Sequence, residues 1–427
     1  MLTCLCAQLC SNSSVDLNNY SMKKNILYLG KLYPQKILST LFVDSKGKAG
    51  LSNHNFEVSI LNGLCQQDNI VLKSVILPGV FSFPHNNKRL FTRAEHYDYK
   101  GTELNSVGFC NLVVLKEFCS TFACFLRLLK TVRKFDGDRV DIIMNTPDTR
   151  FFNAIKWVRR FTSKRLTQTV IIPDIPAMMT SMDKQNPVKG FFLNRNNKTV
   201  MEQTSNANGL VLLTEAMMDF VSKPVKHIVM EGIVDVKTMN VAAPEYESGK
   251  EIILYTGTLR KIFGVMNLVQ AFQRISNPNV ELWICGSGDS AEAIAAAAKQ
   301  DTRIKFYGLV DSQTALKMQH QATILVNPRT SEGEYTKYSF PSKTMEYLLA
   351  GKSVIINRLP GIPEEYYDYA FTPVNESIEA FSQCIADVLN MDKEMRRQRA
   401  VGGRQFIINC KNSVVQMKRV LDMIESY

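Results

Sequence analysis

The chain has 427 residues, 45% of them hydrophobic and 21% charged, with a formal net charge of +11. Those proportions suit two or three domains with real cores and exclude a disordered or fibrous chain. The positive balance asks for an anionic partner: nucleic acid, a membrane surface or phosphorylated small molecules.

Ten cysteines are present, but Cys4, Cys6 and Cys10 form no CxxC pair near a His and the others are scattered singly. Reduced thiols in a cytosolic protein are expected, not zinc or disulfides. The best membrane-span candidate, Cys110–Leu129, is interrupted by Lys116, Glu117 and Arg127, and no basic-then-apolar signal pattern opens the chain. Met22-Lys23-Lys24, directly before a strand pattern, reads as a natural start, so residues 1–21 are expected to form a disordered extension.

From about residue 24 strand and helix patterns alternate. Asn25–Leu29 is a short apolar strand ending at Gly30, and Lys31–Asn55 reads as a loop at its carboxyl end, where open α/β sheets bind ligands. Phe56–Leu64 is helical in pattern and Ile70–Val75 a strand; residues 79–107 lack a period. Leu112–Lys134 predicts a helix with Lys116, Arg127, Lys130, Arg133 and Lys134 on its polar face. After the strand Val140–Met144 comes a second basic helix carrying Lys156, Arg159, Arg160, Lys164 and Arg165. The strand Thr169–Ile172 runs into Pro173-Asp174-Ile175-Pro176. A strand Leu210–Thr214, a helix over 215–223 and a strand His227–Gly232 close the first half, and the aperiodic stretch 236–249 fits a domain boundary.

The two basic helices read either as solvated faces or as seats on an anionic membrane surface, where each nearby Lys or Arg contributes about 1 kcal/mol. Phe118, Phe122, Phe125, Trp157 and Phe161 interleave with the charges, as an interfacial helix requires. No helix-turn-helix, RNP or zinc-finger signature supports nucleic acid.

A second unit begins with the strand Ile252–Thr256 and the loop Gly257–Gly264. Val280–Cys285 ends in Gly286-Ser287-Gly288-Asp289, with Asp289 or Ser290 expected to cap the Ala-rich helix that follows. Ile304–Tyr307 ends at Gly308, and Asp311 is expected to cap the next helix. The apolar run Ala322–Val326 leads into a polar loop, after which Pro341, Ser342 and Lys343 open a helix marked by Met345, Leu348 and Leu349 and stopped at Gly351. This helix start is either an ordinary crossover or an anion site, in which free N–H groups, the helix dipole and the Lys343 charge converge. Ser353–Ile356 and two long helices complete the chain. Gly257, Gly286 and Gly308 mark either tight turns or close approach of backbone to a nucleotide. Two doubly wound α/β units of this kind predict a ligand in the cleft between them.

These pieces carry a resemblance. YTGTLRKIFGVMNLVQAF (255–272), WICGSGD (283–289), IKFYGLV (304–310), ILVNPR (324–329) and YSFPSKTMEYLLAGKSVI (338–355) resemble, in order and spacing, the nucleotide-sugar domain of GT-B glycosyltransferases, in particular the retaining family 4. LLTEAM (212–217) and VMEGIVD (229–235) resemble the last elements of the amino-terminal domain in its bacterial polysaccharide branch. The resemblance implies two Rossmann-like domains facing a cleft: residues 22–245 on the acceptor side, 246–405 on the donor side, and 406–427 as a helix crossing back.

It also implies roles. Glu346 would accept the ribose hydroxyls, and Ser342 and Lys343 would hold the diphosphate at the helix start. Gly257, Thr258, Lys261, Gly286 and Gly308 would border the donor. Two positions depart from the family pattern. The first of its paired donor-site glutamates falls on Tyr338, and its phosphate-neutralising Arg and Lys fall on Thr258 and Phe263, with Arg260 and Lys261 close by as substitutes. Lys343 and Arg260 are candidates for stabilising charge on the leaving phosphate, with no metal or other cofactor. Asp174 either orients the acceptor hydroxyl or is a turn residue. Glu332 and Glu334 are weaker stand-ins for the missing acid. Lys31, Gly50 and Glu231 are acceptor-side candidates, Glu231 also reading as a structural strand end.

The function implied is an enzyme, a retaining hexosyltransferase. It would move sugar from a nucleotide-diphosphate donor to a lipid-linked or oligosaccharide acceptor in surface polysaccharide biosynthesis, capsule or exopolysaccharide. It would be cytoplasmic, peripheral on the inner face of the plasma membrane through the basic helices. The alternatives are a sugar-nucleotide epimerase of the same fold and a non-catalytic nucleotide-sugar-binding subunit.

Overall fold

The computed structural model describes residues 23–32, 51–84, 87–113, 115–175, 187–239 and 249–427. The expected extension over 1–21, most of the loop 31–55 including Gly50, and most of the boundary 236–249 lie outside them.

Strand β1 (Lys24–Gly30) sends Leu27 and Leu29 into one apolar cluster and Ile26 and Tyr28 into another. That period of two, apolar on both sides, is what a strand buried between helical layers requires. Around it lie β2 (Ile70–Ile76), β3 (His96–Tyr99), β4 (Thr102–Ser106), β5 (Arg139–Asn145), β6 (Arg165–Ile172), β7 (Gly209–Leu212) and β8 (Lys226–Val229). The sheet order is β3-β4-β2-β1-β5-β6-β7-β8. Among the described strands only the edge pair β3/β4 is antiparallel. Helices α1 (Leu51–Cys65), α2 (Lys116–Arg133), α3 (Thr149–Val158), α4 (Pro187–Thr204) and the short α5 (Val236–Met239) belong to this half.

The second sheet contains β9 (Glu251–Thr256), β10 (Val280–Cys285), β11 (Ile304–Gly308), β12 (Ile324–Asn327) and β13 (Ser353–Ile356). Its order is β11-β10-β9-β12-β13, parallel throughout. Its helices are α6 (Val265–Gln273), α7 (Ala291–Gln300), α8 (Ser312–Gln321), α9 (Lys343–Leu349), α10 (Ile378–Asn390) and α11 (Lys393–Phe406), followed by α12 (Ser413–Glu425). Ile252 and Leu254 of β9 join the cluster that holds Leu27 and Leu29, while Ile253 and Tyr255 face a separate one. One apolar cluster is therefore common to both sheets. Met417, Val420, Leu421 and Ile424 of α12 pack with Ile26 and Tyr28 of β1. α12 lies so close to α1 that a Cβ at Gly63 would stand 2.1 Å from Ser413 O.

Several element boundaries differ from the sequence reading. The helix expected from Leu112 begins at Lys116, because Leu112 forms a β-bridge with Phe83. The second basic helix stops at Val158, and Arg165 instead opens β6. Residues 215–223 form a 3-10 turn over Glu215–Phe220, not an α-helix. Three helices close the chain, not two, since a π-helical turn at Ile407–Lys411 separates α11 from α12.

Candidate active site

The loops at the carboxyl ends of β9, β10 and β11 hold one another through backbone. Gly257 N donates to Cys285 O (3.0 Å), Leu259 N to Ser287 O (2.9 Å) and Gly286 N to Gly308 O (2.7 Å). Gly286 sits at φ +143°, and a Cβ there would lie 1.8 Å from Gly257 O. Only glycine allows that approach. Gly286 thus serves contact between loops, whereas Gly308, at φ +65° with open space around its Cβ position, serves a turn.

Asp289 does not cap α7. Its Oδ1 accepts from Lys261 N at 2.8 Å, and Ser290 makes no side-chain cap bond either. The β9 loop lies across this helix start, with Ser290 N already donating to Leu259 O, so the carboxylate is drawn into the contact between loops. Asp311 does cap α8, accepting from Thr314 N at 2.9 Å.

Helix α9 is bound to the same edge by the buried Tyr347, whose hydroxyl accepts from Thr256 N (2.9 Å) and donates to Thr256 O (3.1 Å). At its start Ser342 makes no side-chain cap bond. Lys343 Nζ meets Glu346 Oε2 at 2.5 Å, both side chains partly exposed. The cation expected to face a diphosphate and the carboxylate expected to face a ribose thus stand side by side, one turn apart. Across the strand loops Arg260 is half-buried, while Thr258 and Lys261 are exposed.

Tyr338, where the family pattern has an acid, is buried. Its hydroxyl donates to Asp219 Oδ2 at 3.2 Å and its ring meets Phe220 edge-on at 4.8 Å, so it ties the second half to the 3-10 turn of the first. Glu332 is exposed on the preceding loop, and Glu334 is exposed at the start of the 3-10 turn Glu334–Tyr338.

Sequence reasoning assigns no role to Arg329, which the fold places at the end of β12 and buries to 9% exposure. Its guanidinium lies over Tyr335 (4.6 Å) and Phe263 (5.3 Å) and donates to Ser339 Oγ at 2.8 Å. It clamps the loop after β9 to the segment after β12. A charged residue two positions past the short buried strand Ile324–Asn327 is the signal that points to it.

On the first sheet Asp174 follows β6. Burial pushes its carboxyl up to about 6, and it makes no hydrogen bond or ion pair among the described residues. Lys31 Nζ pairs with Asp148 Oδ2 at 2.9 Å, and Arg150 holds the same carboxylate through two bonds. Burial alone would raise Asp148, but Lys31 and Arg150 hold it well below the usual carboxylate range. Glu231 is buried, with its Oε1 bound by Lys411 and by the Tyr366 hydroxyl (2.7 Å). The structure places it in a buried ion cluster, a structural setting for a residue expected on the acceptor side.

Glu57 is a further residue that sequence reasoning misses. It is buried on α1, and both its oxygens accept from Lys31 N, at 3.0 and 2.9 Å. Burial pushes its carboxyl up to about 8, partly offset by Lys31. The folded state therefore keeps a proton that the unfolded chain releases from about pH 4.5 upward. Its contribution to stability is greatest at acid pH and declines between pH 4.5 and about 8. Glu57→Gln is expected to flatten that decline, measured as urea midpoints across this pH range.

Residues 250–391 match the family model described as glycosyl transferases group 1. No curated protein matches the chain. Among solved structures, sucrose-phosphate synthase from Thermosynechococcus elongatus is 14% identical with a TM-score of 0.58, over 94% of this chain and 100% of that one. HepE of Anabaena in complex with UDP is 12% identical with a TM-score of 0.59, over 94% and 100%. The UDP-forming α,α-trehalose-phosphate synthase from Burkholderia xenovorans, in complex with glucose-6-phosphate, is 10% identical with a TM-score of 0.62, over 94% and 99%. At such identities the likeness shows a shared fold, GT-B, and nothing more.

Proposed function

We propose, from the match of residues 250–391 to the group 1 glycosyl transferases, that the chain moves a sugar from a nucleotide-diphosphate donor to a lipid-linked saccharide, with retention of configuration. The observation that carries this reading is the start of α9. A cation and a carboxylate stand there beside a helix start, bound through Tyr347 to the end of β9. UDP bound in the Anabaena neighbour and the UDP-forming reaction of the Burkholderia one support a nucleotide donor in this fold. Membership of family 4, in a polysaccharide-building branch at the cytosolic membrane face, is the finer form of the proposal.

In this reaction the bond between the anomeric carbon and the phosphate oxygen breaks, and the acceptor oxygen bonds to the same face. The acceptor proton passes to the leaving phosphate. The main catalytic demand is stabilising the negative charge on that phosphate. Lys343, Arg260 and the N–H groups around Ser342 are assigned to it, with Thr258, Lys261, Gly257 and Gly308 bordering the donor and Glu346 on the ribose. These charges serve without a metal, and activity is expected to persist in EDTA. Asp174 orients the acceptor hydroxyl. Its carboxyl ionises near 6, so transfer is expected to rise with pH through that value. Asp174→Asn is expected to lower transfer by about 10²-fold or more and remove that limb, with donor binding unchanged.

The test is a panel of nucleotide sugars, read first by thermal shift and then by nucleotide release with and without membrane lipid extract. One stabilising donor with lipid-dependent release is expected. Binding without release across a broad acceptor panel would favour the second reading, a non-catalytic nucleotide-sugar-binding subunit. The observation behind that reading is Tyr338, which spends the position of the usual acid on a contact with Asp219. Release without an acceptor, with the sugar altered, would point to an epimerase.

A further inference from the structure

Helix α2 is apolar on two sides. Thr121, Cys124, Leu128 and Val132 face the core, and burying that stripe accounts for the helix. A second stripe at helical spacing starts one residue before the helix. Its members Leu115, Phe118, Phe122 and Leu126 are 47%, 67%, 46% and 51% exposed. Phe118 and Phe122 stack at 6.4 Å, and Phe125 carries the aromatic row to Phe161 beyond α3, at 5.6 Å. The turn before α2 adds Val113, 53% exposed, and the β-bridge between Phe91 and Cys110 adds Phe91, 63% exposed. Single exposed apolar side chains are ordinary, but a contiguous aromatic stripe is a docking surface.

The charges around the stripe decide what docks. Lys88 and Arg93 stand exposed toward the Phe91 end, and Lys130, Lys156 and Arg160 toward the Phe161 end, with Glu117 the acid in the first turn of α2. Aromatic side chains bordered by cations on both ends complement a layer of anionic headgroups over acyl chains. The placement agrees: Glu117 of α2 lies 3.8 Å from Arg150, which holds Asp148 at the carboxyl end of β5, next to β6 and Asp174. Among the described residues no helix is long and apolar enough to cross a membrane.

We propose that this surface seats the protein on an anionic bilayer, with Phe118 and Phe122 entering the boundary between headgroups and acyl chains. It deepens the lipid-acceptor reading by naming the face from which such an acceptor would arrive. The test is flotation of the full chain with phosphatidylcholine vesicles, with and without phosphatidylglycerol, in the absence of substrate. Binding to the phosphatidylglycerol vesicles is expected, weakened by added salt. Phe118→Ser with Phe122→Ser is expected to lower it at least about tenfold, with an unchanged melting curve because both side chains are exposed. Lys130→Glu with Lys156→Glu is expected to remove only the dependence on phosphatidylglycerol.

No vesicle binding by the parent chain, or equal binding by the serine variant, would overturn the proposal. So would a serine variant that converts a dimer to a monomer without changing vesicle binding, since the stripe would then be a protein interface. Thermal shift by nucleotide sugars is read on the same samples. Vesicle binding without any nucleotide binding would defeat the transferase reading and leave this one standing.

Discussion

Lys343→Ala is expected to lower acceptor-dependent nucleotide release by about 10²- to 10³-fold, the loss seen when one preorganised donor to developing charge is removed. The expectation rests on position: Lys343 opens α9, and Tyr347 fastens that helix to the end of β9. Folding should barely notice the change. The pair Lys343–Glu346 is partly exposed and one turn apart, an arrangement worth about 0.3–0.5 kcal/mol in a helix. Glu346→Gln should weaken donor binding more than it slows release, because its assigned partner is the ribose and not the leaving group. A Lys343→Ala enzyme with unchanged release would remove α9 from the chemistry.

Lys411→Ala is expected to cost about 3–5 kcal/mol of stability by leaving the Glu231 carboxylate buried and uncompensated. Lys411 is itself buried, just before α12. It contacts Glu231 after β8 and Glu365 (2.6 Å) after β13, and its ammonium lies 5.4 Å from the ring centres of both Tyr366 and Phe406. One side chain thereby joins both halves of the chain. The apolar replacement Lys411→Met, Glu231→Leu and Tyr366→Phe removes the buried charges and the hydroxyl together, leaving only the half-exposed Glu365 carboxylate to water. It is expected to return stability to within about 1–2 kcal/mol of the parent. Urea unfolding of the single and triple variants separates the cases; a small loss in Lys411→Ala would show that water already reaches the pair.

Strands β9, β10, β12 and β13 were legible because a strand buried on both faces leaves a short, bounded apolar run, and the alternately exposed edge strand β11 was legible through Gly308 at its end. The pair β3/β4 was not, because HYDY and TELNS carry no apolar run, although most of β4 is buried between its neighbours. Lys343 and Glu346 stood out through their spacing on one helix. Arg329 and Glu57 did not, since their partners Tyr335, Phe263 and Lys31 come from other elements.

By itself, then, the sequence determined the two parallel α/β units and the helix start that carries Ser342, Lys343 and Glu346, because periodicity, capping and spacing are local properties. Tertiary structure alone decided that Gly286 admits the Gly257 carbonyl, that Asp289 holds Lys261 N instead of its helix, that Tyr338 meets Asp219 and that Glu231 is consumed by Lys411. Each of those outcomes depends on which distant segment arrives at a given atom, and hydrogen bonds and charge pairs act only over a few ångströms once the chain has folded.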